Sequence, residues 1–194
     1  MKKKERPVNI PTIEEVENEQ KRLRHRAVYQ RTLRGTIAVL LVVATISVLV
    51  ATLWMPVLQI YGSSMSPTLE AGQIIVSVKT NQLKTGEVVA FWQGNKLLIK
   101  RVIAGPGQWV DIDMDGNVTV DGKELTEDYL DVKALGNCDV ELPHQVEESR
   151  WFLMGDNRDT SVDSRSTAIG DISKDQIEGQ IIFRIWPLNK IGSI

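Results

Sequence analysis

Gly35 to Met55 reads GTIAVLLVVATISVLVATLWM, and no charged side chain occurs between Arg34 and Glu70. A helix of about twenty such residues crosses a hydrocarbon core about 30 Å thick. The stretch therefore predicts one transmembrane helix over 35–55, stopped by Pro56. Trp54 falls where an interfacial aromatic belongs. Two other readings stand beside this one. A core helix of a soluble protein is apolar too. A cleaved signal peptide has an apolar core of about 7–15 residues and ends in an A-x-A-like site. The run here is longer, and no such site follows it.

On the N-terminal side, residues 1–34 carry ten Lys/Arg against five Asp/Glu. Lys21, Arg22, Arg24, Arg26, Arg31 and Arg34 crowd the flank of the span, which should hold this segment in the cytoplasm. Thr12-Ile13-Glu14-Glu15 forms a capping-box pattern that opens a helix. Its apolar stripe (Ile13, Val16, Leu23, Ala27) is thin, so a solvated helix or a disordered tail is expected rather than a partner-binding one.

On the other side, residues 56–194 are expected to form one extracytoplasmic domain. The whole chain is 42% hydrophobic and 25% charged over 194 residues, which excludes a collagen-like or wholly disordered protein. Beyond residue 34 there are thirteen basic and twenty acidic side chains, so no basic domain points to nucleic acid. One Cys and two His exclude an intramolecular disulfide scaffold and a Cys-rich zinc site. No metal and no cofactor are expected.

The outer part reads as mainly β. Ile74–Val78, Glu87–Trp92 and Lys96–Ile103 are rich in β-branched or apolar residues. Val110–Met114 and Val118–Val120 alternate around Asp115-Gly116, and Asp121-Gly122 marks another turn. Gln180–Trp186 reads as a final strand, and Ile60–Ser63 also looks extended. No long amphipathic helix is expected after the span.

Several patterns imitate sites. Asp111-x-Asp113-x-Asp115-Gly116 starts like a calcium loop, but its twelfth position is Gly122 where a bidentate Glu belongs. Lys84-Thr85-Gly86 lacks the S-x-x-K that accompanies K-T-G in penicillin-binding enzymes. Asn117-Val118-Thr119 is a glycosylation sequon inside a hairpin. Cys138 and His144 could form a thiol dyad, though a lone Cys is more often a packing residue.

A serine nucleophile needs a base. His25 lies on the wrong side of the span, which leaves only His144. Lysine is the other partner known for serine. It must be neutral, and burial can lower its pKa from about 10.4 by several units. Leu97-Leu98-Ile99-Lys100-Arg101-Val102-Ile103 offers such a lysine, on the face of Leu98 and Val102 with Arg101 opposite. Ser63-Ser64-Met65-Ser66-Pro67-Thr68-Leu69 offers a serine in a constrained turn. Strand-edge lysines are common, so periodicity leaves this pairing open.

Here a resemblance enters. Ser64-Met65-Ser66-Pro67-Thr68-Leu69 resembles the S-M-x-P-T-L box of the type I signal peptidases. Gly86-Glu87-Val88-Val89-Ala90-Phe91 is similar to their G-D-x-V-x-F strand. Lys100-Arg101-Val102-Ile103 resembles their K-R-V-x box, and Gly155–Arg165 matches G-D-N-R-D-x-S-x-D-S-R at every specified position. The resemblance runs from about residue 35 to the C-terminus and looks like the single-anchor Gram-positive type. It departs twice. The K-R box is usually followed by G-x-P-G-D, where this chain has Ala104-Gly105-Pro106-Gly107-Gln108, which bears on the turn and its Asp contact. Some members carry a serine two residues before the nucleophile that helps the oxyanion hole, where this chain has Gly62. The hole would then rest on the Ser64 amide and another backbone or water donor.

The resemblance implies an antiparallel β-sheet Ser-Lys protease fold, with Ser64 as nucleophile, Lys100 as general base and Ser161 bonding the lysine amine. Asp163 and Arg165 would pair to support the last box, while Asp156, Asn157 and Arg158 shape the turn. Ile60, Met65, Leu69 and Leu98 fall where the family lines pockets for small side chains. It implies a membrane-anchored endopeptidase that cuts signal peptides from exported preproteins after Ala-x-Ala, with preproteins and membrane lipid as partners. A self-cleaving repressor-type Ser-Lys protease and an inactive membrane-tethered binding module are the rival readings. Ser64 lies nine residues beyond Met55, so chain reach holds it within about 30 Å of the end of the span.

Overall fold

The computed structural model describes residues 12–80 and 82–194, the side chains of 50–54 aside. It divides into two compact units at Val50/Ala51. The first is dominated by helix α1, Ile13–Trp54, which runs without a break through the apolar stretch. Its start follows the capping-box pattern: Glu15 N donates to Thr12 Oγ1 at 3.4 Å, and Thr12 N donates to Glu15 Oε2 at 2.9 Å. The apolar side chains from Ile37 to Val48 are exposed to solvent among the described residues. The helix ends two residues before Pro56. The expectation for the Trp54 side chain, and those for residues 1–11, lie outside the described residues.

The second unit is built on antiparallel β-sheet. In chain order its strands are β1 Val57–Gln59, β2 Ile74–Val78, β3 Val88–Gln93, β4 Lys96–Ala104, β5 Trp109–Ile112 and β6 Val118–Val120. Then follow β7 Lys123–Glu124, β8 His144–Gln145, β9 Arg150–Met154, β10 Ile172–Ser173, β11 Ile177–Trp186 and β12 Gly192–Ser193. The large sheet has the order β1-β2-β11-β3-β4-β9-β10, with β12 also on β11, and the small one β7-β6-β5-β8. Only two 3₁₀ turns, Lys174–Gln176 and Leu188–Lys190, occur among the described residues after α1.

Alternation gives the large sheet two apolar faces. Val88 and Ala90 point to a cluster with Ile60, Met65, Leu69, Ile75 and Ile181. Val89 and Phe91 point to the opposite one, with Val102, Leu153 and Ile172. The small sheet closes a third cluster over Ile103, Ala104, Phe152 and Met154. The β6–β7 connection is the expected Asp121-Gly122 turn, with both residues at positive φ (52° and 75°), as a two-residue hairpin turn of the primed kind requires.

One reading needs correction, and one strand of the large sheet has no counterpart in the sequence pattern. Ile60–Ser63 is not a strand, because the extended pairing with β2 stops at Gln59 and the chain bends into the serine loop. Strand β9 had no periodic signal, since Arg150-Trp151-Phe152-Leu153-Met154 becomes progressively buried instead of alternating.

Candidate active site

Ser64 sits in a tight loop between β1 and β2. The loop is pinned by Ser66 N donating to Ser63 O at 3.1 Å and Leu69 N donating to Met65 O at 2.8 Å. That turn swings Leu69 inward, where it is 0% exposed. Lys100 lies in the middle of β4 opposite Val89 and is 3% exposed. Its Nζ donates to Ser64 Oγ at 2.6 Å. Burial is the main cause that pushes the Lys100 pKa down, to about 8. Asp163 and Asp156 oppose that shift and Arg165 adds to it.

The Gly155–Arg165 segment holds the other side of the loop. Asn157 N donates to Ser64 O at 3.0 Å, and Asn157 Nδ2 donates to Ser63 O at 3.3 Å. Gly155 packs so close that a Cβ would meet Ser161 Oγ at 2.2 Å and Ser64 O at 2.5 Å. Asp163 and Arg165 pair as expected, Arg165 Nε donating to Asp163 Oδ1 at 2.8 Å and Nη2 to Oδ2 at 2.9 Å. Both side chains are fully buried, and Gly155 N donates to the same carboxylate at 2.9 Å. Burial would push the Asp163 carboxyl up. The hydrogen bonds and charge of Arg165 outweigh it and hold the group below the ordinary carboxylate range.

Ser161 is brought here, 2% exposed, its Oγ beside the Asp163 carboxylate but without a well-aligned hydrogen bond. The expected bond between Ser161 Oγ and the Lys100 amine is not made, and that amine donates to Ser64 Oγ. Arg101, given no role in the sequence reading, is a hub. It donates to Asp156 Oδ1 at 2.9 Å and Oδ2 at 2.6 Å, to Gly86 O at 2.7 Å and to Thr68 Oγ1 at 3.2 Å. Its neighbour in the K-R box was the available signal.

A groove of about 540 Å³ runs beside Ser64. Ile60, Met65 and Leu98 line it together with Tyr61, Trp92, Leu97 and Ile99, which the sequence reading did not single out. Leu69 does not line it and is a core residue. Gly62 borders the groove at φ +90°, a backbone conformation that a serine there would adopt only with strain.

The imitating patterns resolve into structure. His144 Nε2 lies 3.0 Å from Asp171 Oδ1 at the small sheet, with its ring against Phe152. Cys138 Sγ contacts Val140 O, so the two do not form a dyad. Asp113 accepts from Asp115 N, Asn117 N and Asn117 Nδ2, closing the hairpin loop. In the departing turn, Gln108 Oε1 accepts from Gly105 N at 2.8 Å and so makes the side-chain contact that closes it.

The signal peptidase, peptidase S26 family matches residues 33–186. A signal peptidase IB of Staphylococcus aureus is 36% identical over 152 residues, which is 68% of this chain and 78% of its own. A signal peptidase I of Bacillus licheniformis is 34% identical over 146 residues, covering 67% and 76%. A crystal structure of a signal peptidase I from Enterococcus faecalis aligns over 52% of this chain and 97% of its own, at 25% identity with a TM-score of 0.42. The chain belongs to the signal peptidase family, peptidase S26, and is a serine peptidase by that membership.

Proposed function

We propose that this protein is a membrane-anchored endopeptidase that removes signal peptides from exported preproteins through a Ser64–Lys100 dyad. The contact of Lys100 Nζ with Ser64 Oγ at 2.6 Å carries the reading, because it joins a hydroxyl to an amine whose pKa is lowered to about 8. Once neutral, that amine accepts the Ser64 proton as Oγ attacks the scissile carbonyl. It then returns the proton to the leaving amine. Among the described residues the Ser64 amide donates to no group, so it is available to the developing oxyanion. Gly62 offers no hydroxyl, and a second donor comes from backbone or water. Ser161 would orient the neutral lysine by accepting one of its N–H groups while the amine lone pair faces Ser64, and its buried hydroxyl beside the Asp163 carboxylate supports that role. Asp163 and Arg165 hold the segment in place.

The division into a cytoplasmic segment (1–34), a span (35–55) and an outer catalytic domain (56–194) is part of the same proposal. A long apolar helix supports anchoring, and the basic flank supports an N-terminus inside the cell. An extended substrate would lie in the groove against β4, with alternate side chains facing Ile60, Met65 and Leu98. The family resemblance then gives the preference for Ala-x-Ala. The deciding experiment incubates the detergent-solubilised protein with a preprotein and identifies the products by mass spectrometry. A cut in trans after Ala-x-Ala is expected. Neither the repressor-type nor the inactive-module reading yields one. A strong preference for Arg or a large aromatic before the cut overturns the assignment.

A further inference from the structure

Outside the four motifs, the loop between β7 and β8 carries two side chains that meet the motif arginines. The Glu127 carboxylate is fully covered, and accepts from Arg158 Nη1 at 3.1 Å and from Arg158 Nη2. Tyr129 Oη donates to Glu127 Oε1 at 2.7 Å. The face of the Tyr129 ring lies 3.8 Å from the Arg101 guanidinium carbon. One tyrosine thus joins two buried ion pairs, Arg101–Asp156 and Arg158–Glu127.

The Arg101–Asp156 pair ends on the strand that bears Lys100, and the Arg158–Glu127 pair ends on the segment packed against the serine loop. Arg158 Nε donates to Gly155 O at 3.2 Å, and Gly155 is packed directly on the Ser64 carbonyl. Arg101 follows Lys100 in β4, and its Nη2 reaches Thr68 in the serine loop. A cation over an aromatic face is worth more when desolvated, and a guanidinium left without its carboxylate in a dry site is costly. Burial first, then the bond to Glu127, raise the Tyr129 pKa, so the hydroxyl stays a donor.

We propose that Glu127 and Tyr129 are positioning residues for the peptidase reaction, fixing Arg158 and Arg101 and through them the relative placement of Ser64 and Lys100. This rests on the Ser64–Lys100 reading above. Neither residue lines the groove, so substrate binding is not their task. A misplacement of about 1 Å from a site remote from the chemistry can cost about 10²-fold in rate.

The test measures kcat and KM of the full chain in detergent on one preprotein, below each variant's melting temperature. Tyr129→Leu removes the ring face and should lower kcat at least about tenfold with little change in KM. Tyr129→Phe keeps the ring over Arg101 and should recover most of that loss. Glu127→Gln should behave as Tyr129→Leu does where it folds. Equal kcat for folded Tyr129→Leu and wild type, or a loss confined to KM, overturns the proposal even if Glu127→Gln does not fold. So does failure of Tyr129→Phe to exceed Tyr129→Leu. Ser64→Ala and Lys100→Ala run in parallel. If either turns over normally, the dyad itself is wrong and the positioning role falls with it. If both are dead, the Tyr129 comparison decides the positioning role alone.

Discussion

Lys100 Nζ lies 2.6 Å from Ser64 Oγ, although 36 positions separate the two residues in the chain. The sheet makes the contact: β4 presents the lysine from its middle, and the loop leaving β1 lays the serine over it. If this pair is the catalytic dyad, Ser64→Ala should abolish turnover with the fold intact. Lys100→Arg should be equally dead, because a guanidinium stays protonated and cannot accept the proton. His144→Ala should keep turnover while lowering the melting temperature, since His144 pairs with Asp171 away from this contact. A preprotein cleavage assay with thermal melts checks all three.

The acidic limb of kcat/KM should fall near pH 8, because below that value Lys100 is protonated. The same shift has a sign for stability. The folded state holds the charged lysine less well than the unfolded chain does. The cost is fully present below about pH 8 and fades as pH rises towards the ordinary lysine value. Lys100→Met should therefore be inactive yet more stable near neutral pH, by up to about 3 kcal/mol, with no such gain near pH 11. Denaturant titrations at the two pH values read the difference.

Asp163→Asn should lower activity and melting temperature together. Breaking a buried pair costs about 3–5 kcal/mol, because the partner charge is left uncompensated. With the Asp163 pKa held low in the fold, its stabilising contribution is present above the ordinary carboxylate pKa and disappears as pH falls through the lowered value. The melting difference between wild type and Asp163→Asn should accordingly shrink in strong acid. An inactive variant with unchanged melting at neutral pH would point to a direct chemical role.

Gly155→Ala should cost activity strongly. The added methyl would sit 2.5 Å from Ser64 O and 2.2 Å from Ser161 Oγ, so the serine loop or the Ser161 turn must move. Gly72→Ala, at a glycine with open space around it but φ +86°, is the control for backbone strain without a collision. Turnover per folded molecule should separate the two.

External protease added to cells stripped of wall should degrade residues beyond the span and leave the N-terminal segment protected. Full protection of the C-terminal domain, with a cytoplasmic reporter active at its end, would reverse the proposed orientation.

The apolar stretch, its basic flank and its proline stop were legible as sequence, because helix length and charge asymmetry are local properties. So were the alternating strands β5 and β6 and the Asp121-Gly122 turn. The motif boxes pointed to Ser64, Lys100, Asp163 and Arg165, and the structure brings all four to one place. What sequence did not decide depends on contacts between distant segments. Leu69 reads as a candidate pocket wall but is carried into the core by the turn from Met65. Ser161 occupies the expected place without the expected bond, because the distance between its hydroxyl and the Lys100 amine is set by how two distant segments pack. Arg101, Glu127 and Tyr129 carry no periodicity that distinguishes them from surface residues. Folding of the β7–β8 loop over the Gly155–Arg165 segment brings Glu127 to Arg158 and Tyr129 to Arg101, and a buried charge must find its partner wherever the chain happens to place it.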